Sequence, residues 1–353
     1  MTLSIIIPVY NDPEGLTRLL RQLQDMAVFY QIIVSDDASR DASDQASDQA
    51  SDVASDVTCP PADLGFDEAA MGVTYLLSPE QRGAGHARNQ ALAEVTSDHV
   101  IFFDSDDLLS PDFPSLVQSL SQSMDNMAFD FCIFGHIDSR SRAVGGVPGP
   151  MVSDQLLWDA LVAGQVAGQA GDLAGDLDSP RQLDPAEVAT LAMVAAYPWN
   201  KIYRTEFLRE HNIRCTEILV HNDIELHWSS FLRAERVFAT TQLGCEHFVA
   251  EDGTRLTNRR GRERLHVFEA LTPLHGILHQ TGNEVLFLLP LVRFYIRLFD
   301  WILQRLDVQY RESFHQKASQ FLLAQHSPAT IRFVAAQDPD LARQINAHIR
   351  RGW

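Results

Sequence analysis

Asp104, Asp106 and Asp107 crowd three carboxylates into four residues, directly after the apolar run Val100-Ile101-Phe102-Phe103. Acids this close repel one another and stay ionised only where a cation or hydrogen-bond donors compensate them. A hard divalent ion with oxygen ligands, Mn2+ or Mg2+, fits that need and would in turn hold a diphosphate. The plainer reading is a solvated acidic turn, because D-x-D is a common string. A second acidic pair, Asp36-Asp37, ends another apolar run, Ile32-Ile33-Val34. If both runs are parallel strands, both acidic ends fall at one sheet edge, where open α/β sheets bind ligands. One cluster could then bind metal while a carboxylate of the other accepts hydrogen bonds from a ribose or base. Arg82-Gly83-Ala84-Gly85-His86-Ala87-Arg88-Asn89 lies between them, with glycines for close backbone approach and two arginines that could meet a nucleotide.

The elements that must position these groups follow a βαβ pattern. Ser4 to Tyr10 is a continuous apolar run, as in a strand buried on both faces. A helix follows, with Asp12 placed to cap it, Pro13 at its first position, and Leu16, Leu19, Leu20 and Leu23 at helical spacing. Strands are expected at 73–77, 99–103 and 131–134, with a helix from about Gly85 to Val95. Another helix is capped by Asp184-Pro185-Ala186-Glu187 and reaches Ala196. Weaker strands are expected at 201–204, 237–240 and 247–249, and only helices from Arg259 onward. The fold class is therefore α/β, a mostly parallel sheet flanked by helices, over 1–253, with a helical region over 254–353.

Composition limits the function. The 353 residues are 45% hydrophobic and carry a net charge of -19, which argues against a protein that neutralises nucleic-acid phosphates, so no nucleic-acid partner is expected. The charge is uneven, about -25 over residues 1–253 and +6 over 254–353. Cys59, Cys132, Cys215 and Cys245 are too scattered for a disulfide framework, so reduced thiols and a cytoplasmic location are expected. No signal peptide is expected from the N-terminal residues. The apolar stretch 285–306 is interrupted by Arg293, Arg297, Asp300 and Arg305, unlike a spanning helix. Two tetrad tracts, 38–57 and 163–177, are expected to be surface insertions.

Taken together, Ser4-Ile-Ile-Ile-Pro-Val-Tyr-Asn11, Val34-Ser-Asp-Asp-Ala-Ser39, Gly83 to Leu92 and Phe103-Asp-Ser-Asp-Asp107 resemble the family 2 glycosyltransferases in order and approximate spacing. The resemblance extends to Trp199-Asn200-Lys201-Ile202-Tyr203-Arg204 and His221-Asn222-Asp223, and implies a GT-A fold with inverting transfer from a nucleotide sugar, usually a UDP-sugar, to a glycan or lipid-linked acceptor. It implies that Pro8, Tyr10 and Asp37 hold the nucleoside and that Asp104 and Asp106 engage the nucleotide sugar and its metal, with Asp107 assisting. Asp223 is the implied general base, although this chain has Asn222 where the family usually has a glutamate. Arg82, Arg88 and Lys201 are expected at the nucleotide sugar, with a structural salt bridge as the other reading of Lys201. His247 is a further metal candidate, and Trp199 either stacks on a sugar or belongs to the core. His86, His221 and His227 are read as satisfied histidines without chemistry.

Two other readings stand beside this one. Phe102 to Leu108 also resembles the first motif of haloacid-dehalogenase-type phosphatases, with Asp104 as nucleophile, though the usual Gly-Thr is missing. A catalytically inactive GT-A scaffold acting through its basic tail is the second. The cluster Arg259-Arg260-Gly261-Arg262-Glu263-Arg264 and the amphipathic 285–306 stretch could rest on an anionic bilayer, giving peripheral contact with the inner face of the membrane. They could equally pack on the catalytic domain or on a second subunit of a homo-oligomer.

Overall fold

The apolar run at the N-terminus becomes β1 (Leu3–Val9), buried along its whole length because it pairs on both edges, with β2 (Gln31–Asp36) and β4 (His99–Phe102). The computed structural model describes residues 1–39, 60–124, 128–139, 149–164, 177–248 and 258–353. Most of both tetrad tracts, Cys59, the segment 251–255 and the expected boundary at 253/254 lie outside the described residues. Between β1 and β2, α1 (Pro13–Met26) starts at Asp12, whose side chain accepts from the Gly15 amide at 3.0 Å, and buries Leu16, Leu19, Leu20 and Leu23. The spacing of those leucines matches the helical stripe read from the sequence.

β3 (Val73–Leu77) extends the parallel set, so that β3-β2-β1-β4 run in one direction. Beyond β4 the sheet is mixed rather than mostly parallel. β8 (Lys201–Arg204) lies antiparallel between β4 and β6 (Phe131–Asp138), and β9 (Val237–His247) pairs parallel with β6. The short strands β5 (Leu108–Leu109) and β7 (Arg181–Gln182) both run antiparallel to β9. Strand direction depends on how connections cross the sheet, which apolar runs do not encode. The two weak strands expected near 237 and 247 are one strand, broken by register shifts on either side of Gly135. At that position a Cβ would fall 2.5 Å from the Thr241 carbonyl oxygen. The irregularity hides the strand's length in the sequence, since a bulge interrupts the alternation of faces.

Apolar residues fill both faces of the sheet. One face packs Ile5, Ile7, Ile101 and Phe103 against α1 and α4 (Phe113–Met124). The other packs Ile6, Phe102 and Phe131 in the same cluster as Leu274, Leu291, Phe299 and Ile345 of the C-terminal helices. The basic region set apart by charge thus shares a core with the sheet. The joint is a helix buried on all sides but its ends, here α8 (Ile224–Arg233), following α5 (Val152–Val162), α6 (Pro185–Leu191) and α7 (Thr205–Glu210). In α8, Phe231 meets Phe131 of the sheet edge-on at 4.9 Å, and Trp228 meets Phe294 of the C-terminal helices at 5.2 Å. Asp184 forms the expected capping box with Glu187 at the start of α6, which ends at Leu191 rather than Ala196.

The C-terminal helices are α9 (Val267–Thr281), α10 (Glu284–Arg305), α11 (Val308–Gln325), α12 (Pro328–Gln337) and α13 (Pro339–Arg351). The stretch 285–306 buries Phe287, Leu291, Val292, Tyr295, Ile296, Phe299 and Ile302 within the protein. Its apolar face is therefore already covered, and among the described residues no helix is long and apolar enough to cross a membrane. Because both halves share one core, chemical denaturation monitored by tryptophan fluorescence and circular dichroism should show a single coincident transition. Leu274→Ala, at a fully buried α9 position, should destabilise that transition as a whole by about 2–5 kcal/mol. Two separate transitions, with only one shifted, would show instead that the halves fold independently.

Candidate active site at the sheet edge

The carboxyl ends of β1, β2 and β4 open into a cleft of about 740 Å³. Pro8, Tyr10, Asp37, Arg88, Asp104, Asp106, Asp223 and His247 all line it, so the structure brings together most of the residues singled out from the sequence. Three residues bordering it or following its strands hold positive φ without being glycine, namely Asn11 at 51°, Ala38 at 60° and His221 at 68°. Such conformations persist only where the surroundings over-determine them, and they gather at functional sites.

The glycine-rich segment is built as a cradle. Asp37 accepts from the amides of Arg82 at 2.8 Å and Gly83 at 2.7 Å, holding the loop that opens α3 (Ala84–Ala93). Burial raises the Asp37 pKa, while those two amides and His86 pull it back. Gly83 has φ +92, which explains the residue type there. At Gly85 an added Cβ would lie 2.4 Å from the Thr216 carbonyl oxygen, so the helix approaches the 216–223 turn as closely as backbone allows. The N-terminus of α3 contributes Gly83 and Ala84 to the cleft wall, and free helix amides favour an anion there.

From α3, the buried Arg88 spans two segments. Its Nη2 donates to Asp104 Oδ1 at 2.5 Å and its Nη1 to Asn222 Oδ1 at 2.7 Å. Burial alone would lower the guanidinium pKa, but the Asp104 carboxylate more than offsets it and holds the group charged. Asn222, the departure from the family's usual glutamate, thus supplies a neutral acceptor beside Asp104 and Asp223. Asp223 sits at the start of α8, where burial pushes its carboxyl up to about 6 against the pull of Arg88. A carboxylate poised there serves as a general base near neutral pH.

The acidic cluster has the chemistry of a hard-cation site. Ligand oxygens of Asp104, Asp106 and Asp107 all lie within 4.8 Å of one another, an all-carboxylate donor set suited to Mg2+ or Mn2+. Asp107 is fully buried and does not line the cleft. It accepts from His247 Nδ1 at 2.9 Å and from the Phe248 amide at 2.9 Å. Burial works against a charged His247, yet Asp107 outweighs it and raises the imidazole pKa. With Nδ1 engaged by Asp107, a neutral His247 would offer Nε2 to a cation, as where a carboxylate orients a metal-binding histidine. Trp199 is buried in the core, stacked on His247 with ring centroids 5.0 Å apart and on Tyr197 at 4.4 Å, so it steadies the histidine from behind.

Two candidates lie elsewhere. Lys201 is fully buried outside the cleft lining, with Nζ donating to the Tyr197 carbonyl at 2.6 Å and Asn200 Oδ1 at 2.8 Å. Among the described residues it forms no salt bridge. Burial lowers its pKa to about 7, against the nearby charges of Asp223 and Asp154. Arg82 contributes its amide to Asp37, while its side chain turns outward to Glu217 at 2.6 Å. Three cleft features escaped the sequence reading. Arg259, an exposed residue of the cluster expected at a packing or membrane surface, lines the wall. His221, read as a bystander, lines the cleft in a left-handed conformation. Asp12 both caps α1 and accepts from Ser105 Oγ at 2.7 Å, tying the first loop to the D-x-D segment.

Comparison with known proteins gives this geometry a context. Residues 4–146 match the model of Glycosyl transferase family 2. Pre-mycofactocin glycosyltransferase of Mycobacterium tuberculosis is 32% identical over 103 residues, 29% of this chain and 17% of that protein. The chain thus spans about a sixth of the length of the curated relatives it matches. Among solved structures, S. aureus TarS 1-349 in complex with UDP-GlcNAc aligns with a TM-score of 0.66 at 16% identity, over 100% of this chain and 89% of that one. The same fragment in complex with UDP gives 0.63. At such identity the likeness establishes the fold, GT-A with C-terminal helices, and the full coverage includes the helical region.

Because the cradle leaves no room at Gly85, Gly85→Ala should force α3 from the 216–223 turn. Binding of a nucleoside diphosphate, followed by calorimetry, should fall at least tenfold, about 1.4 kcal/mol, in a variant that still folds. Unchanged affinity would show that the close approach is incidental.

Proposed function

We propose that this chain, whose residues 4–146 match the model of Glycosyl transferase family 2, moves a sugar from a nucleotide-sugar donor to a hydroxyl of an acceptor, with inversion at the anomeric carbon. The observation that carries the reading is the Arg88 link. It holds Asp104 of the acidic cluster on one hand and Asn222, next to Asp223, on the other, across one cleft. A group that binds a leaving diphosphate and a group that takes a proton must flank the same reacting carbon, and a link between their two segments across one cleft supports that arrangement. Asp223 lies outside the family match, so its role rests on that geometry and on its raised pKa.

The assignments follow from position. Pro8, Tyr10 and Asp37 flank the nucleoside, and a UDP-sugar is the donor class favoured by the motif resemblance. The N-terminus of α3 and Arg259 face the diphosphate. Asp104 and Asp106, with His247 oriented by Asp107, would hold Mn2+ or Mg2+, which supplies charge neutralisation for the departing diphosphate. Asp223 accepts the proton of the acceptor hydroxyl as its oxygen attacks the anomeric carbon from the side opposite the diphosphate. The bond from that carbon to the phosphate oxygen breaks, and the nucleoside diphosphate leaves with the electron pair. The acceptor is a glycan or lipid-linked hydroxyl of surface polysaccharide or glycoconjugate assembly. Contact of 254–353 with an anionic membrane would be electrostatic, since the apolar face of α10 is buried. A phosphohydrolase with Asp104 as nucleophile fits neither the GT-A fold nor the family match.

The first test is metal-dependent release of nucleoside diphosphate from a panel of nucleotide sugars. With the active donor in hand, Asp223→Asn should lower kcat by about 10^2 to 10^4-fold with the fold intact. Asp106→Asn should abolish the metal dependence together with transfer. Full activity in either variant would remove the mechanism.

Acidity gives an independent check. Burial keeps Asp223 protonated up to about pH 6, and a protonated carboxyl cannot accept the acceptor's proton. The ratio kcat/KM should therefore fall about tenfold per pH unit below roughly 6 and level off above it. A profile flat between pH 5 and 8 in the wild type would exclude Asp223 as the base.

A further inference from the structure

The turn that carries Asp223 is not held by the α/β half alone. His221, two residues before it, adopts φ +68, a conformation a ring-bearing residue keeps only when its neighbours fix it. Those neighbours come from the C-terminal region. Arg264, in the 3-10 turn Arg262–His266, is fully buried, and its Nη1 lies 3.2 Å from His221 Nε2. A guanidinium only donates, so the imidazole accepts at Nε2 and carries its proton on Nδ1. Burial and the Arg264 charge push the His221 pKa down to about 3, in keeping with a neutral ring.

Trp301 of α10 completes the anchorage. The Arg264 guanidinium lies 4.7 Å from the centre of its ring, and His221 meets the same ring edge-on at 6.1 Å. A second donor of Arg264, Nε, reaches the Arg259 carbonyl at 2.6 Å. One guanidinium thus touches the base turn with one edge and the backbone of a cleft-wall residue with another. Burying an arginine is costly, and an apolar side chain of similar size would fill the space at no loss of stability if bulk were its only contribution. What an apolar replacement cannot reproduce is the fixed angle between the two donors.

We infer that Arg264 is a positioning residue of the cleft, pinning His221 and Arg259 from the C-terminal side while Arg88 pins Asn222 from the α3 side. The base is then held between two arginines that belong to different halves of the chain, and the helical region is a working part of the site. The kinetic consequence rests on the transferase reading above; the structural consequence does not.

The experiment compares wild type, Arg264→Gln, Arg264→Lys and His221→Asn by backbone hydrogen exchange and by steady-state transfer. Asparagine tolerates positive φ but is too short to meet Arg264. Amides within 216–226 should exchange faster in all three variants, with the sheet strands unchanged. With the active donor, kcat should fall about 10- to 100-fold in all three, as expected when a reacting group is misplaced by an ångström or less, while the donor KM stays as in wild type in His221→Asn, which keeps the Arg264–Arg259 contact. Lysine should fail to rescue, because its donors radiate from one nitrogen and do not reproduce the planar fork that spans the two acceptors. If Arg264→Gln does not fold, His221→Asn reports both measurements by itself. Unchanged exchange at 216–226 overturns the proposal. So does a loss of protection spread over the whole sheet, or a loss of donor affinity in His221→Asn equal to its loss of kcat, since either marks an ordinary core residue. A wild type inactive on every nucleotide sugar would sink the transferase reading and leave the exchange result to decide this one.

Discussion

A single buried guanidinium, that of Arg88, holds the two working edges of the cleft at a fixed separation. A guanidinium without partners is expensive to bury, so the Asp104 segment and the Asn222 segment cannot drift apart without exposing that cost. The helix that carries Arg88 is itself over-determined. Asp37 grips the amides that open it, and Gly85 sets it against the Thr216 carbonyl at a distance that excludes any side chain. Sheet, helix and turn are thereby locked around one charge.

The carboxylates of the cleft are sorted by what satisfies them. Asp37 is occupied by backbone amides, Asp104 by Arg88, and Asp107 by His247 and the Phe248 amide. At Asp223, as at Asp37 and Asp107, burial outweighs the groups that lower the pKa, and here it pushes the carboxyl up to about 6. A carboxyl whose pKa lies near neutrality suits proton transfer.

Charge asymmetry suggested a catalytic part and a basic appendage. Packing joins the two, as the alternative of helices packed on the catalytic domain would have it, since Leu274, Leu291, Phe299 and Ile345 share a cluster with Ile6 and Phe102. Charge reports on surfaces, and the surfaces of the two regions do differ. The cohesion of a fold depends on apolar area removed from water, which formal charge does not reveal.

Local pattern in the sequence determined β1, α1 and the parallel strands, because buried strands and amphipathic helices leave their period in neighbouring residues. It also determined the acidic strand ends, whereas the need for glycine at 85 comes from the Thr216 carbonyl packed against it. Motif order pointed to Asp104, Asp106 and Asp223, which the cleft does gather. Tertiary structure alone decided the rest. Lys201 left the cleft because the antiparallel β8 buries it, and Trp199 became a support for His247. His221 gained a partner 43 residues away in Arg264, while Arg88 reaches Asn222 across 134 positions and His247 reaches Asp107 across 140. A single sequence lists residue types and their local spacing, and contacts between distant segments leave no mark on either. They come into being only when strand direction and helix packing bring those segments together.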